Sequence, residues 1–229
     1  HHILLDGWSV PIVLNDLFMH YDAFCRGEPI DLPAPQSFKE YILWLQTQNA
    51  SDAENFWRNS LAGLTTPATL SRDAKHSREL TAQERYAEVE FALSEESTAC
   101  LQDMAKAHRL TLNTLVQGAW AIMLSRHTNS PEVTFGTVVS GRPAHLSGSE
   151  MMVGMMMNTL PVRVQVDEEA TLLDWLEALQ DHHVEARQYE YSPLVEVQEW
   201  SQVPKGTAMF ESLVVFENKP WVPTQNGRR

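Results

Sequence analysis

The chain has 229 residues, 43% of them hydrophobic, with seven Trp and eight Phe, which is enough apolar material for a sizeable core and argues against disorder. Its net charge of −13 and lack of a basic run argue against nucleic-acid binding by counterion release. No apolar run is long enough to span a bilayer and no signal peptide is evident, so a cytoplasmic protein with no membrane partner is expected.

The chain opens on His1-His2-Ile3-Leu4-Leu5-Asp6-Gly7-Trp8-Ser9. Asp-Gly marks a tight turn, and Ser9 is placed to N-cap the helical pattern Ile12, Val13, Leu17, Tyr21, Phe24. Two terminal histidines read first as a tag remnant or a surface pair. Their alternative is proton transfer, for which imidazole has the nearest-to-neutral pKa. Gly27-Glu28-Pro29, Pro33 and Pro35 form a linker. Ser37 with Glu40 and Ser51 with Glu54 are capping boxes for two helices, the first carrying Trp44 and the second Phe56, Trp57 and Leu61. Residues 65–85 are polar and read as loop.

Tyr86, Val89, Phe91 and Leu93 lie in an alternating run and predict a strand. Ser94 and Thr111 cap two helices, the second nearly all apolar from Leu115 to Leu124 and so expected to be buried. Val133–Val139 predicts a strand ending in the turn Ser140-Gly141-Arg142-Pro143. After the run Met151 to Met157 comes Asn158-Thr159-Leu160-Pro161, then a strand Val162–Val166. Thr171 caps a long helix, Ser192-Pro193 opens a short one, and Leu213–Phe216 is the last strand. Alternating strands and helices predict a mixed α/β sandwich. Cys25 and Cys100 have no metal-ligand spacing and read as reduced thiols; His182 and His183, adjacent on a helix, point to different faces and make a poor metal pair, so no metal site is expected.

Together these pieces resemble the condensation domain of non-ribosomal peptide synthetases. The residues that carry the resemblance are His1-His2-Ile3-Leu4-Leu5-Asp6-Gly7-Trp8-Ser9, like the family's HHxxxDG motif, and Val153-Gly154-Met155-Met156-Met157-Asn158-Thr159-Leu160-Pro161-Val162-Arg163, like its (I/V)GxxxNTLPVR stretch. Weaker matches are the helix at Tyr41–Gln46, Ser192-Pro193-Leu194, and Phe210 to Asn218, like the family's FxxxxVFEN strand. The resemblance implies a fold of two chloramphenicol-acetyltransferase-like lobes with the site in a tunnel between them. It implies residues 1–60 as the end of the first lobe with catalytic motif and crossover, 61–85 as linker, 86–218 as second lobe, and 219–229 as a disordered tail. Because the sequence begins at the catalytic motif, most of the first lobe is expected to be missing or to come from another chain. The isolated chain is then expected to be inactive, with His1 and His2 poorly ordered.

The implied reaction is amide formation. The amine of one carrier-bound aminoacyl thioester attacks the carbonyl of an acyl or peptidyl thioester on another carrier. The resemblance assigns catalysis to His2, as proton acceptor or as orienting group, and to Gly7, whose backbone N–H lies near the tunnel. His1, Asp6, Trp8 and Ser9 are assigned structural roles, with Asp6 pointing to an arginine of the absent first lobe. Asn158, Gly154 and Met157 are assigned to the substrate tunnel; for Asn158 an ordinary turn role is an equal alternative. No tightly bound cofactor is implied, since phosphopantetheine arrives on carrier proteins, and the implied partners are flanking carrier domains and a neighbouring adenylation domain. Two rival readings are a non-catalytic or truncated condensation-like interaction module and a coenzyme A-dependent acyltransferase of the HxxxD superfamily.

Overall fold

A computed structural model describes residues 1–30, 32, 34–67, 69–70 and 86–217. Helix α1 spans Ser9–Arg26, α2 Phe38–Gln46, α3 Ala50–Ser60, α4 Glu95–Ala107 and α5 Leu112–Thr128. Strand β1 (Glu132–Val139) and β2 (Asn158–Gln165) follow, then α6 (Leu172–Arg187), α7 (Leu194–Trp200) and the short β3 (Leu213–Val214). The sheet order is β2-β1-β3. β1 pairs antiparallel with β2, from Glu132 opposite Gln165 to Val139 opposite Asn158, and parallel with β3, so the sheet is mixed.

The register explains the core. Val133 lies opposite Val164 and Phe135 opposite Val162, so period-two alternation sends all four to one face. There they pack with Ala121 and Leu124 of α5 and Leu179 of α6. Leu160 continues that face into a second cluster with Trp57, Leu61 and Leu64 near α3 and Val197 of α7. Trp57 is fully buried, and its indole N–H donates to Ser192 Oγ at 3.0 Å. Helix α3 therefore packs against the sheet and α7.

Three of the helix starts are as the sequence predicts. Ser94, Thr111 and Thr171 each accept the N–H three residues on. Ser37 caps α2 through the Lys39 N–H. The second capping box is corrected: Asn49 caps α3 by accepting the Ser51 N–H, and Ser51 lies inside the helix. Asn49 also donates to Asp52 one turn on, a local bond as good as the one the Ser51–Glu54 spacing offers.

Tertiary context overrules other readings. Tyr86–Leu93 forms no strand; Tyr86, Val89 and Phe91 are among the most exposed apolar side chains described. Alternation suits a strand, but a strand exists only where backbone hydrogen bonds find a partner, and none of the three described strands pairs with it. Helix α5 is not buried all round. Thr114, Gln117, Gly118, Ala121 and Leu124 face inward, while Val116 and Met123 are exposed. β2 begins at Asn158, four residues before the expected start, and the last strand is limited to Leu213–Val214. Helix α1 forms as its spacing predicts, yet Val13, Leu17, Tyr21 and Phe24 are exposed on it. No described helix is long and apolar enough to cross a membrane. The disordered tail expected at 219–229, Asn218 and most of the linker expected at 61–85 lie outside the described residues.

Candidate active site

The opening motif is held from within. Asp6 and Ser9 are both fully buried. Asp6 Oδ1 accepts the Ser9 backbone N–H at 2.8 Å and lies 2.7 Å from Ser9 Oγ. The carboxylate, and not Ser9, thus accepts the first free N–H of α1, and Trp8 occupies the cap position without a capping bond from its side chain. Ser9 Oγ also lies 2.9 Å from Gly154 O and accepts the Gly154 N–H at 3.0 Å. The Asp6 N–H donates to Gly154 O as well.

Asp6 has a partner that local sequence does not reveal. Arg142 Nη2 donates to both its oxygens, at 2.9 and 3.0 Å. The pair is buried, with side-chain exposures of 6% and 0%. Arg142 also donates to the carbonyls of Ser149 and Met152, so its fork ties the loop after β1 to the 3₁₀ turn at Ser149–Met151. The expected arginine of an absent segment is therefore replaced by one within this chain. Ser140-Gly141-Arg142-Pro143 reads as a turn in sequence, and nothing local marks its arginine as the partner of a residue 136 positions away. Gly141 makes the loop possible: its φ is +62°, and a Cβ there would lie 1.8 Å from Met156 O. Burial alone would raise the Asp6 pKa, but the bonds from Ser9 and Arg142 outweigh it and hold the carboxyl below its ordinary value.

Beside this anchor lies a cavity of about 1190 Å³, lined by Gly7 and Trp8 of the motif, Trp44 of α2, Arg142, Met157 and residues of α5 and α6. Trp44 donates through Nε1 to His145 Nε2 at 2.9 Å and meets Tyr191 edge-on. Burial raises the Glu190 carboxyl on the same wall, opposed by the nearby Arg187. Tyr41, under Trp44, is pushed up to about 12 by burial and by the Glu190 charge.

Of the residues expected at the tunnel, the structure brings Gly7 and Met157 to the cavity, together with Trp8. His1 and His2 stand in the exposed turn that begins the chain, with His1 Nδ1 accepting the Ile3 N–H at 3.2 Å. His2 is not on the cavity wall. Gly154 is also off the wall: it lies under Phe38, whose ring would sit 2.2 Å from a Cβ added there. Asn158 likewise lies off the wall. Its Nδ2 donates to the carbonyls of Glu190 and Ser192, at 2.8 and 2.7 Å, and its Oδ1 accepts the Thr159 N–H. With its amide so engaged it clasps the start of β2 to the segment before α7. Asn158→Ala should therefore cost about 1–3 kcal/mol of stability in urea unfolding. Asn158→Asp should cost more, because a carboxylate would face two carbonyl oxygens; equal stability of both variants and the native chain would remove the clasp.

The family model for the condensation domain matches residues 1–228. A linear gramicidin synthase protein of Brevibacillus parabrevis is 46% identical over 220 residues, covering 96% of this chain and 4% of that protein. Surfactin synthase subunit 3 of Bacillus subtilis is 36% identical over 226 residues, covering 99% of this chain and 17% of that protein. Among solved structures, the X-domain from teicoplanin biosynthesis matches with TM-score 0.69 and 27% identity, over 89% of this chain and 47% of that one. The first condensation domain of the CDA synthetase matches in fold, with TM-score 0.69 and 18% identity, over 94% of this chain and 46% of that one. The chain thus spans less than half of these solved chains and a small part of the curated relatives. The mixed sheet and the helices packed on it agree with that fold, and the opening motif stands at the cavity. The chain belongs to the condensation domain family.

Proposed function

We propose that this protein takes part in amide-bond formation between two carrier-bound thioesters during non-ribosomal peptide synthesis. The observation that carries the reading is the Asp6–Arg142 anchor, which presents Gly7 and Trp8 on the wall of a cavity of about 1190 Å³ in a chain of this family. The reaction needs aligned reactants, an unprotonated amine and stabilisation of the developing oxyanion. His2 serves the amine, by taking its proton or by orienting it. The Gly7 backbone lies beside the reacting carbonyl. Phosphopantetheine enters as part of the substrates, on carrier domains, and a neighbouring adenylation domain loads them. Residues 1–60 carry the end of the first lobe with the motif and the crossover, and α3 at their end packs against the α7 cluster of the body that follows.

The reading is tested by offering the polypeptide, as the cell makes it, either two loaded carrier proteins or free acyl-coenzyme A with an amine. Product only from the carrier pair supports it. Product from the coenzyme A arm assigns the protein to the wider acyltransferase superfamily. A second reading, a non-catalytic interaction module, draws on the exposed apolar side of α1 and on His2 lying off the wall. Carrier binding without any product would favour it.

A further inference from the structure

Trp44 stands on α2, and His145 stands on the loop between β1 and the 3₁₀ turn. Both side chains are open to solvent in part, His145 more than Trp44. The Trp44 indole N–H donates to His145 Nε2 at 2.9 Å, and the two rings are tilted by 54° with centroids 5.4 Å apart. An indole nitrogen is a donor only, so Nε2 must present its lone pair, and the proton of the neutral ring sits on Nδ1. Next in the chain, Leu146 packs with Trp44 around the buried Tyr41, Met152 and Met156. The bond and this apolar contact together tie the loop to α2. The same loop carries Arg142, whose guanidinium holds Asp6.

This bond exists in one proton state only. An imidazole that gains a second proton is a donor at both nitrogens, and Nε2 then offers the indole N–H no lone pair. Imidazole is the side chain that makes this change between about pH 5 and 8. The attraction left to the charged ring is for the face of the indole, which requires a different ring position from the one the hydrogen bond holds. The protonated ring also shares its loop with the Arg142 guanidinium, a like charge. The other titratable groups around the contact are distinguishable from it. Tyr41 beneath Trp44 is pushed up to about 12, and burial pushes Tyr191, edge-on to Trp44, up as well. Burial pulls His182 and His183 of α6 down, the latter to about 4. The carboxylates on neighbouring elements are Glu40, one turn before Trp44 on α2, Glu150 on the 3₁₀ turn, and Glu190 beside Tyr191. Arg187 of α6 is the further cation on the cavity wall.

We propose that His145 is a proton-controlled latch: with its ring neutral it ties the loop that carries Arg142 to α2 through the Trp44 indole, and with its ring protonated it releases Trp44 and loosens that loop. The latch needs no substrate and no partner, so it stands or falls apart from the proposed reaction. It is also distinct from the Asp6–Arg142 pair. That pair is buried and gives way only in acid, whereas His145 is exposed and imidazole changes charge near neutrality.

The test is nuclear magnetic resonance on the nitrogen-labelled full chain between about pH 8 and 5.5. Seven Trp give seven indole N–H signals. Trp44→Phe identifies the one that belongs to Trp44, and a through-space signal from that proton to the His145 ring identifies it without any substitution. As the pH falls, the Trp44 indole signal should move in step with the His145 ring signals. His145→Gln keeps a neutral acceptor near the Nε2 position but does not titrate, so in that chain the indole signal should hold still. Glu40, Glu150 and Glu190 are present in both chains, and any movement they cause cancels in the comparison. The loop is read through the Leu146 backbone N–H, which donates to Pro143 O at 3.1 Å. Its exchange with solvent should match that of the His145→Gln chain at the alkaline end and run about tenfold faster in the native chain at the acid end. The latch is overturned if the Trp44 signal does not move, if it moves equally in His145→Gln, or if its midpoint differs from that of the His145 ring. It is overturned equally if the Leu146 exchange stays the same in the two chains at the acid end.

Discussion

Replacing Asp6 by Asn should lower the unfolding free energy at neutral pH by about 3–5 kcal/mol, because it leaves the Arg142 guanidinium buried without its counter-charge. Arg142→Leu should cost a similar amount by stranding the carboxylate. For a chain of this size each loss corresponds to a fall in melting temperature of about 10 °C. The two substitutions should be strongly non-additive, since the double variant removes both charges and leaves neither uncompensated. Additive losses would show that the pair is not a unit. The effect also has a pH signature. The folded chain holds the Asp6 carboxyl below its ordinary value of 3.8, so it binds a proton less readily than the unfolded chain does. Its stabilisation is present above that value and is lost as pH falls through the folded one. The difference between native and Asp6→Asn chains should be full at pH 7 and shrink once the pH drops below about 4. The pair also positions the motif: its loss releases the crossing of Asp6 and Ser9 over Gly154, and with it the placing of Gly7 and Trp8 on the cavity wall.

Replacing His2 by Ala should reduce kcat/KM for the two-carrier reaction by about 10²–10⁴-fold, the range for losing a positioned acid–base group. Stability should stay within about 0.5 kcal/mol, as for other exposed positions. The basis for that separation is structural, since His2 is exposed and lies outside the core clusters that hold the fold. If the role is proton acceptance, His2→Asn retains hydrogen bonding and should not recover the rate. If the role is orientation, the same variant should recover part of it. An unchanged rate in His2→Ala would remove His2 from the mechanism altogether.

Helix starts were legible wherever a Ser or Thr side chain could reach the N–H three residues on, as at Ser94, Thr111 and Thr171, because that bond is local. It misled at Ser51, where Asn49 offered an equally local alternative. Strands β1 and β2 were legible from β-branched residues and alternation, and the two extended motifs carried the family. What stayed hidden depends on which distant segment arrives. Alternation in Tyr86–Leu93 could not say whether a partner strand would be present, and apolar spacing in α1 could not say what would cover it.

By itself, then, the sequence determined the family, the caps at Ser94, Thr111 and Thr171, the two long strands and the Asp-Gly turn, all through residues close together in the chain. Only the tertiary structure decided that Asp6 meets Arg142 and that Asn158 spends its amide on two carbonyls. Each of these is a polar group whose role follows from the partner it finds after burial. Desolvation makes that choice energetically decisive, and sequence proximity carries no information about it.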